Sequence, residues 1–367
     1  MAPPLKHKMA QLLRGLSERF TPNASSQDLT TTKPRDDGFL KAKGPDGLFT
    51  RTKADVDGDD CLHDCSSCTV NLPRKWSIDE DDKLYGHIQG WSRHILVATG
   101  KTDWVRDVAD EKGSVMEAVG KHDGAVKGGK LMLSASNIPV PDHHGENEGP
   151  YGKDRPTNVL LLPLFKWIDG VTPNHVPDVI KSIINTAPTN TTPFPTSASS
   201  HEPLTPPELP AGLSLRNCAH QCVILLCSQG TRDARCGQSA PLLRKELERH
   251  LRPLGLYRDL HDERPGGVGI YFISHVGGHK YSANMMVYRR GHPARSVQEQ
   301  MENGLGDEKM GGKGVTEGEA AQCIWLARIR PEDCENVIKY TVLQGKVVKP
   351  DSQLRGGFDR EKGIVSW

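Results

Sequence analysis

The sequence predicts an α/β fold with a mixed sheet, divided between two α/β domains. Short apolar runs rich in Val, Ile and Leu, which are typical of buried strands, alternate with segments whose apolar residues recur at helical spacing. Residues 187–210 are almost all Pro, Thr, Ser and Asn, and they separate two such regions. A chain of 367 residues can bury one large core or two ordinary ones.

Composition sets the expected domain boundaries. Residues 1–60 are polar over most of their length, and we expect a disordered or targeting tail there. We expect an N-terminal α/β domain over residues 61–186, a Pro/Thr/Ser-rich linker over 187–214 and a second domain over 215–367. An irregular stretch at about 291–318 interrupts the second domain and predicts a mobile insertion.

The sequence of the second domain predicts six secondary-structure elements in the order β-α-β-β-β-α. These are a strand at 220–227, a helix at 241–251 with Ser239 as its candidate N-cap, strands at 268–273, 284–288 and 322–329, and a helix at 331–343 that begins with proline. This order is close to a thioredoxin-like sheet. Polar loops then fall beyond the strand ends, where a rigid scaffold can aim functional side chains.

The first domain predicts strands at 94–99, 130–134 and 158–165 and helices at about 103–119 and 177–185. The segments HILVATGKTDWVRDV and CVILLCSQGTRDARC share one plan, an apolar strand followed by a small-residue turn, a basic-acidic pair and a helix. The first domain is either a degenerate thioredoxin-like repeat, with Ala98 or Thr99 near the place of Cys227, or an unrelated α/β cap.

Two pairs of metal-ligating residues lie on loops of the second domain. Cys227 and Cys236 form a C-x8-C loop, and His275 and His279 form an H-x3-H pair in a glycine turn. Zinc accepts two thiolates and two imidazoles, but its usual ligand pairs are tighter and lie on small finger-like modules. An iron-sulfur cluster tolerates the longer loop because it is larger than one ion. Core cysteines with surface histidines are the alternative without a metal.

Other cysteines compete for these roles. Cys218 and Cys222 bring four thiols into nineteen residues, enough for an all-cysteine site, but they fit packed strand positions better. Cys323 and Cys334 are typical of a buried strand and a buried helix.

Three further cysteines, Cys61, Cys65 and Cys68, have the C-x3-C-x2-C spacing of radical-SAM enzymes. The α/β repeats of the barrel that such an enzyme needs do not follow. Structural or redox-active thiols are the favoured interpretation. A zinc site or auxiliary cluster would need a fourth ligand, for which His63 and His87 are the candidates.

The stretches CSQGTRDARCG and ISHVGGHKYSANMMVY, with KTDWVRDVADEKG upstream and a terminal tryptophan, resemble the fungal Apd1/Aim32 family, often labelled sucrase/ferredoxin-like. The resemblance covers roughly residues 60–367, and we place the chain nearer to the Aim32 branch. It implies a thioredoxin-like ferredoxin whose [2Fe-2S] cluster, unlike a Rieske cluster, is bound by Cys227 and Cys236 on one iron and His275 and His279 on the other. It also implies that Trp367 takes part in cluster acquisition, through the iron-sulfur assembly machinery.

Two classes of function are compatible with these features. The first is an electron-transfer protein that uses the cluster to serve an unknown redox partner, a carrier rather than a stand-alone enzyme. The second is a thiol-disulfide oxidoreductase that uses Cys61, Cys65 and Cys68 beside a structural or regulatory cluster. Forty-seven basic residues against 46 acidic ones give no bias toward nucleic acid. No apolar run reaches membrane-spanning length, and no paired acid and base carboxylates indicate a glycosidase.

The first twenty residues bear on the compartment. They carry four Lys or Arg residues against one Glu, and an apolar helical stripe contains Met9, Leu12, Leu13, Leu16 and Phe20. Nine irregularly spaced cysteines suit a reducing compartment. We favour the mitochondrial matrix, with the cytosol as the alternative.

Overall fold

The computed structural model describes residues 35–141, 155–195, 209–291 and 318–367. The strands in these ranges are β1 (Leu40–Lys41), β2 (Thr50–Arg51), β3 (Arg93–Ala98), β4 (Leu131–Ser136), β5 (Thr157–Leu162), β6 (Lys166–Val171), β7 (Ser214–Asn217), β8 (Cys222–Cys227), β9 (Tyr257–Arg258), β10 (Val268–Ile273), β11 (Met285–Arg290), β12 (Ala320–Leu326), β13 (Lys346–Val347), β14 (Leu354–Asp359) and β15 (Ile364–Val365). Strands β2 and β13 pair with each other, and the other thirteen form one mixed sheet.

Helices are few and mostly short. They are α1 (Pro45–Leu48), α2 (Ala54–Asp57), α3 (Val115–Lys121), α4 (Val176–Val179), α5 (Ala234–Leu251), α6 (Cys334–Asn336) and α7 (Pro350–Gln353). α4 continues into a π-helical turn at Ile180–Ile184, and α6 continues into another at Val337–Val342. None of the helices in the described ranges is both long and apolar enough to cross a membrane.

Two sets of four strands have the same order and the same directions. In the second half of the chain, β8 is parallel to β10 and antiparallel to β11, which is antiparallel to β12. In the first half, β3 is parallel to β4 and antiparallel to β5, which is antiparallel to β6. A helix follows the first strand in each set, α3 after β3 and α5 after β8. Both halves therefore have the β-α-β-β-β order that was predicted for the second domain, although β6 of the first half was not predicted. The shared order favours a degenerate repeat over an unrelated cap.

The two halves join edge to edge at the seam, where β4 and β10 pair in antiparallel fashion. The hydrogen bonds across the seam are reciprocal. The Asn137 N–H donates to the Phe272 carbonyl (3.2 Å), and the Ser274 N–H donates to the Ala135 carbonyl (2.9 Å). Because each half contributes the same positions, the halves are related by an approximate twofold axis.

The sheet is buried on both faces. Along β8, Ile224 and Leu226 belong to one apolar cluster, and Val223 and Leu225 belong to the cluster on the opposite face. Strands covered on both faces show continuous apolar runs, so the sequence shows these strands clearly. Both clusters include residues from both halves, and all described residues belong to one compact unit. The two predicted domains thus share one sheet and the apolar clusters on both of its faces.

The predicted tail and linker differ from what the structure describes. Residues 35–60 are folded, since Phe39, Leu48 and Phe49 are buried and β1 pairs with β15. A few apolar side chains are enough to anchor this polar segment on the C-terminal strands. In the predicted linker, Asn190 is buried and donates to the Trp91 carbonyl (3.0 Å). Residues 1–34 and the predicted insertion between 292 and 317 lie outside the described residues.

Helix α5 begins earlier than predicted. Its N-cap is Asp233, whose carboxylate accepts the Arg235 N–H (2.9 Å). Ser239 lies inside the helix and donates to the Arg235 carbonyl (2.8 Å), so its predicted role as N-cap is wrong. Likewise, the helix expected from about residue 103 begins only at Val115, where Ser114 accepts the Glu117 N–H (3.0 Å).

Candidate metal centre

Cys227 and Cys236 approach each other from the two ends of one loop. Cys227 is the last residue of β8, and Cys236 is the third residue of α5. Both are buried free thiols. The earlier start of α5 moves Cys236 from the predicted loop into the first helical turn, where the helix dipole favours a thiolate.

His275 joins the two cysteines through the register of the sheet. Ile273 lies opposite Cys227 in the parallel pair of β10 and β8, so a residue two positions further on reaches the same edge. The Sγ atoms of both cysteines and a ring nitrogen of His275 all lie within 4.8 Å of one another. The Nδ1 of His275 is 3.9 Å from the Cys227 Sγ. Three of the four predicted ligands are thereby brought together.

His279, the fourth predicted ligand, lies on the solvent side. Its ring centroid is 5.3 Å from that of His275, and its side chain is exposed. The backbone of the H-x3-H turn, residues 275–279, has positive φ at Gly277 (87°) and Gly278 (70°). Only glycine adopts such angles without strain, which explains the glycine pair between the two histidines.

The pKa values of Cys227 and Cys236 are shifted in opposite directions. The Cys227 thiol donates toward Cys236 and lowers the pKa of Cys236 to about 5, and His275 and Ser282 also lower it, against the effect of burial. The same contact, together with burial, raises the pKa of Cys227. The lowered pKa of Cys236 favours its thiolate, the form that binds metal. Two sulfurs and an imidazole are a donor set that fits an iron-sulfur cluster or a zinc ion.

The first half of the chain holds the loop that carries the cysteines. Gln229 accepts the His275 N–H through Oε1 (2.8 Å) and donates to the Val105 carbonyl through Nε2 (2.5 Å). Nearby, the Asp103 carboxylate accepts the N–H (3.0 Å) and the hydroxyl (2.8 Å) of Thr231. These long-range contacts carry no signal in a single sequence. Through these contacts, the first half of the chain stabilises the loop between the two candidate cysteine ligands in the second half.

Arg355 is a buried cation beneath the H-x3-H turn. Its Nη1 donates to the Gly277 carbonyl (3.0 Å) and to the Asn284 Oδ1 (2.7 Å). Asn284 in turn donates to the Gly278 carbonyl (2.9 Å). Burial lowers the pKa of Arg355 to about 10, so it stays charged at neutral pH. Sequence reasoning missed this residue, because an isolated arginine 76 positions after the turn gives no local pattern.

The surface cations beside the ligands are already paired. Lys280 contacts the Asp82 carboxylate and lies 3.6 Å from that of Asp79. Arg235 binds the Asp233 carboxylate, with its Nη2 at 2.8 Å from Oδ2. These pairs fit solvated surface charge better than a docking site for an acidic partner.

The competing cysteines lie in the core, as predicted. Cys218, Cys222, Cys323 and Cys334 are buried, and they join no candidate group of metal ligands among the described residues. Burial raises the pKa of Cys222 to about 12, which disfavours the thiolate that a metal requires.

Among the described residues, neither His63 nor His87 joins the three N-terminal cysteines in a candidate metal-binding group. Cys61 and Cys65 are buried, Cys68 is half-buried, and the two candidate ligands His63 and His87 are exposed. Among the described residues, Cys65 forms a candidate metal-binding group with other side chains, from helix α5.

Trp367 is docked on the protein and is not the exposed terminal aromatic that the sequence suggested. Its ring centroid is 4.7 Å from that of Trp91, and its carbonyl accepts the Arg35 Nη1 (2.8 Å). A Cβ on Gly90 would lie 2.2 Å from the indole, so glycine makes room for it. Any partner that captures Trp367 must first displace it from this site.

Comparison with known proteins identifies the family. The family described as sucrase/ferredoxin-like matches residues 84–356, more than half of the chain. Actin patches distal protein 1 of Saccharomyces cerevisiae is 27% identical over 269 residues, covering 68% of this chain and 80% of that relative. Altered inheritance of mitochondria protein 32 of Clavispora lusitaniae is 26% identical over 130 residues, covering 35% and 33%.

The longer alignment with the actin-patch relative does not support the predicted nearness to the Aim32 branch. The chain spans about a third of the length of the Clavispora relative. No solved structure matches the chain significantly. The family match is consistent with the mixed α/β fold, and because it covers most of the chain, the chain belongs to the sucrase/ferredoxin-like family.

Proposed function

We propose that this protein is an electron carrier that binds a [2Fe-2S] cluster through Cys227, Cys236, His275 and His279. The observation that carries the proposal is the approach of three donor atoms, from both cysteines and His275, to within 4.8 Å. A cluster with this mixed ligand set would supply one-electron transfer at a potential above that of an all-cysteine ferredoxin.

The chain's own residues suit this role. Cys227 and Cys236 are buried and keep water from the thiolates, whereas the exposed His279 marks the edge from which an electron would enter or leave. The buried charge of Arg355 favours additional negative charge at the centre. A redox partner would therefore dock over the H-x3-H turn.

Visible absorption and EPR spectra of anaerobically purified protein test the proposal. We expect a [2Fe-2S] signal whose shape and potential change in His275→Cys and in His279→Cys, because thiolate donates more charge than imidazole. His87→Ala, at another exposed histidine, is the matched control and should leave the spectrum unchanged. A signal that is unchanged in both His275→Cys and His279→Cys would contradict the ligand assignment.

The thiol-disulfide alternative has weaker support. Cys61 and Cys65 are buried, and burial is the main factor that raises the pKa of Cys68, whereas exchange chemistry needs an accessible thiolate. Loss of electron-transfer activity in His275→Ala but not in Cys65→Ser would support the carrier. The opposite result would support the oxidoreductase.

We place the protein in the mitochondrial matrix, with the cytosol as the alternative. The basic amphipathic stretch at the start of the chain is typical of a mitochondrial presequence, and the names of several relatives mention mitochondria. Fractionation of cells that express the full chain tests this placement, and recovery in the cytosolic fraction alone would contradict it.

A further inference from the structure

A second set of metal-ligating side chains lies at the far end of helix α5. Cys65 and Cys68 form a C-x2-C turn, in which the Cys68 N–H donates to the Cys65 carbonyl (3.4 Å). The Cys65 N–H donates to the Glu332 carbonyl (3.0 Å), which fixes the turn against the α6 region. Two thiols separated by two residues in a tight turn are a common zinc-binding half-site.

Helix α5 supplies the other half. Glu246 and His250 are four residues apart and therefore share one face of the helix. The Cys65 Sγ, a Glu246 carboxylate oxygen and a His250 ring nitrogen all lie within 4.8 Å of one another. The Cys65 Sγ is 3.8 Å from the His250 Nε2, and the Cys68 thiol lies beside the Glu246 carboxylate.

The Glu246 carboxylate is only partly satisfied by the side chains around it. Its side chain is only 1% exposed, and among the described residues its Oε2 has no hydrogen-bond partner. A buried carboxylate oxygen without a partner is costly. A divalent ion bound by this carboxylate would remove that cost.

Arg249 places one cationic group among these donors. Its Nη2 is 2.5 Å from the Glu246 Oε1, 2.9 Å from the His250 Nε2 and 3.3 Å from the Cys65 Sγ. Sulfur, nitrogen and oxygen donors therefore converge on a single positive group. The Arg249 side chain is 38% exposed, so it has room to turn outward into solvent.

We propose that Cys65, Cys68, Glu246 and His250 bind a structural Zn²⁺ ion, and that the Arg249 guanidinium occupies its place in the metal-free protein. Two thiolates, one imidazole and one carboxylate complete a tetrahedral shell of the kind that zinc favours. The ion would tie the segment that carries Cys65 to α5, about 15 Å along the helix from Cys236 at the 1.5 Å rise per residue. The site stands whether or not a cluster binds at Cys227 and Cys236.

Metal analysis of the purified full chain tests the site. After purification with zinc in the medium and gel filtration, we expect about one zinc per chain by plasma mass spectrometry, from a single four-ligand site. Cys65→Ser and His250→Gln should each lose most of this zinc and keep their iron. His63→Gln, an exposed histidine in the same segment, is the matched control and should keep both metals.

Three results would overturn the proposal. The first is a wild-type chain that contains no zinc, and the second is zinc that persists in both Cys65→Ser and His250→Gln. The third is zinc that is lost only in Cys236→Ser, because the ion would then lie at the other centre. Arg249→Met keeps all four donors and removes the competing cation. It should bind zinc more tightly than the wild type in a competition with a chromophoric chelator, and equal or weaker binding would count against the site even if the ligand variants fail to fold.

Discussion

Ser136 and Ile273 lie directly opposite each other in the antiparallel pair of β4 and β10, and each is the last residue of its strand. The next residue in each half closes the seam with its side chain. The Asn137 Oδ1 accepts the Phe272 N–H (2.8 Å), and the Ser274 Oγ accepts the Ala135 N–H (3.1 Å). Two similar strand ends thus secure each other.

The shared strand order allows the candidate ligand positions of the second half to be compared with the corresponding positions of the first half. Counted from the strand ends, Ala98 of β3 corresponds to Cys227 of β8, and Ile138 corresponds to His275. The second repeat has candidate ligands at these two places, and the first repeat has apolar residues there. The first half instead contributes contacts such as that between Gln229 and Val105, which steady the ligand loop.

The H-x3-H turn should tolerate alanine at one glycine far better than at the other. Gly277 and Gly278 both have positive φ, so either substitution costs roughly 1 kcal/mol. A Cβ at Gly278 would also lie 2.7 Å from the Arg355 guanidinium, whereas a Cβ at Gly277 meets nothing within 4 Å. We expect Gly278→Ala to lose much more iron per chain than Gly277→Ala. Equal iron contents would show that Arg355 can move aside.

Removing the buried charge of Arg355 should lower the reduction potential of the bound cluster. The reduced centre carries one more negative charge, which a nearby buried cation stabilises. Protein-film voltammetry of Arg355→Met should therefore show a lower potential than the wild type. Lys280→Met removes an exposed charge already paired with Asp82 and should shift the potential much less. A larger shift in the lysine variant would assign the electrostatic effect to the surface.

His94 should make the fold sensitive to acid. It is fully buried between the Tyr288 hydroxyl (3.2 Å) and the Ser134 hydroxyl (2.9 Å), and burial lowers its pKa from 6.5 to about 3. The unfolded chain binds a proton below pH 6.5, whereas the folded chain does not until about pH 3. Stability from this group is therefore complete above pH 6.5 and falls as the pH drops toward 3.

Urea unfolding checks this expectation. Between pH 7 and pH 5, the wild type should lose about 2 kcal/mol of unfolding free energy through His94, at about 1.4 kcal/mol per pH unit below 6.5. His94→Gln, which cannot titrate, should lose less over the same interval. Parallel pH profiles of the two proteins would contradict the effect of burial on this histidine.

Deleting Trp367 should reduce iron occupancy in cells while leaving chemically reconstituted protein able to bind a cluster. The deletion should also lower the stability of the folded protein, because it removes the ring contact between Trp367 and Trp91. Trp367→Phe keeps an aromatic group at the docking site and is the control for packing. Normal iron content in cells after the deletion would exclude a role in cluster acquisition.

The sequence alone indicated the main apolar strands of each half and the two pairs of candidate ligands, and it left open whether the first half is a repeat. Apolar runs such as Cys222–Cys227 are local, and so are the spacings of the cysteine pair and the histidine pair, so they can be detected without a structure. The join of the two halves, the Arg355 contacts under the H-x3-H turn and the docking of Trp367 could not be predicted. Each depends on side chains far apart in the chain.

The N-terminal cysteines show this limit most clearly. The C-x3-C-x2-C spacing of Cys61, Cys65 and Cys68 favoured structural or redox-active thiols. A metal site was the alternative, for which the sequence offered His63 and His87 because they are near in the chain. The fold instead brings Glu246 and His250 to Cys65. Glu246 and His250 are four residues apart on the helix predicted at 241–251, so the sequence indicates that they share one face of that helix. Only tertiary packing decided which segment that helix face would meet, since burial of apolar surface sets contacts between elements without regard to their separation in sequence.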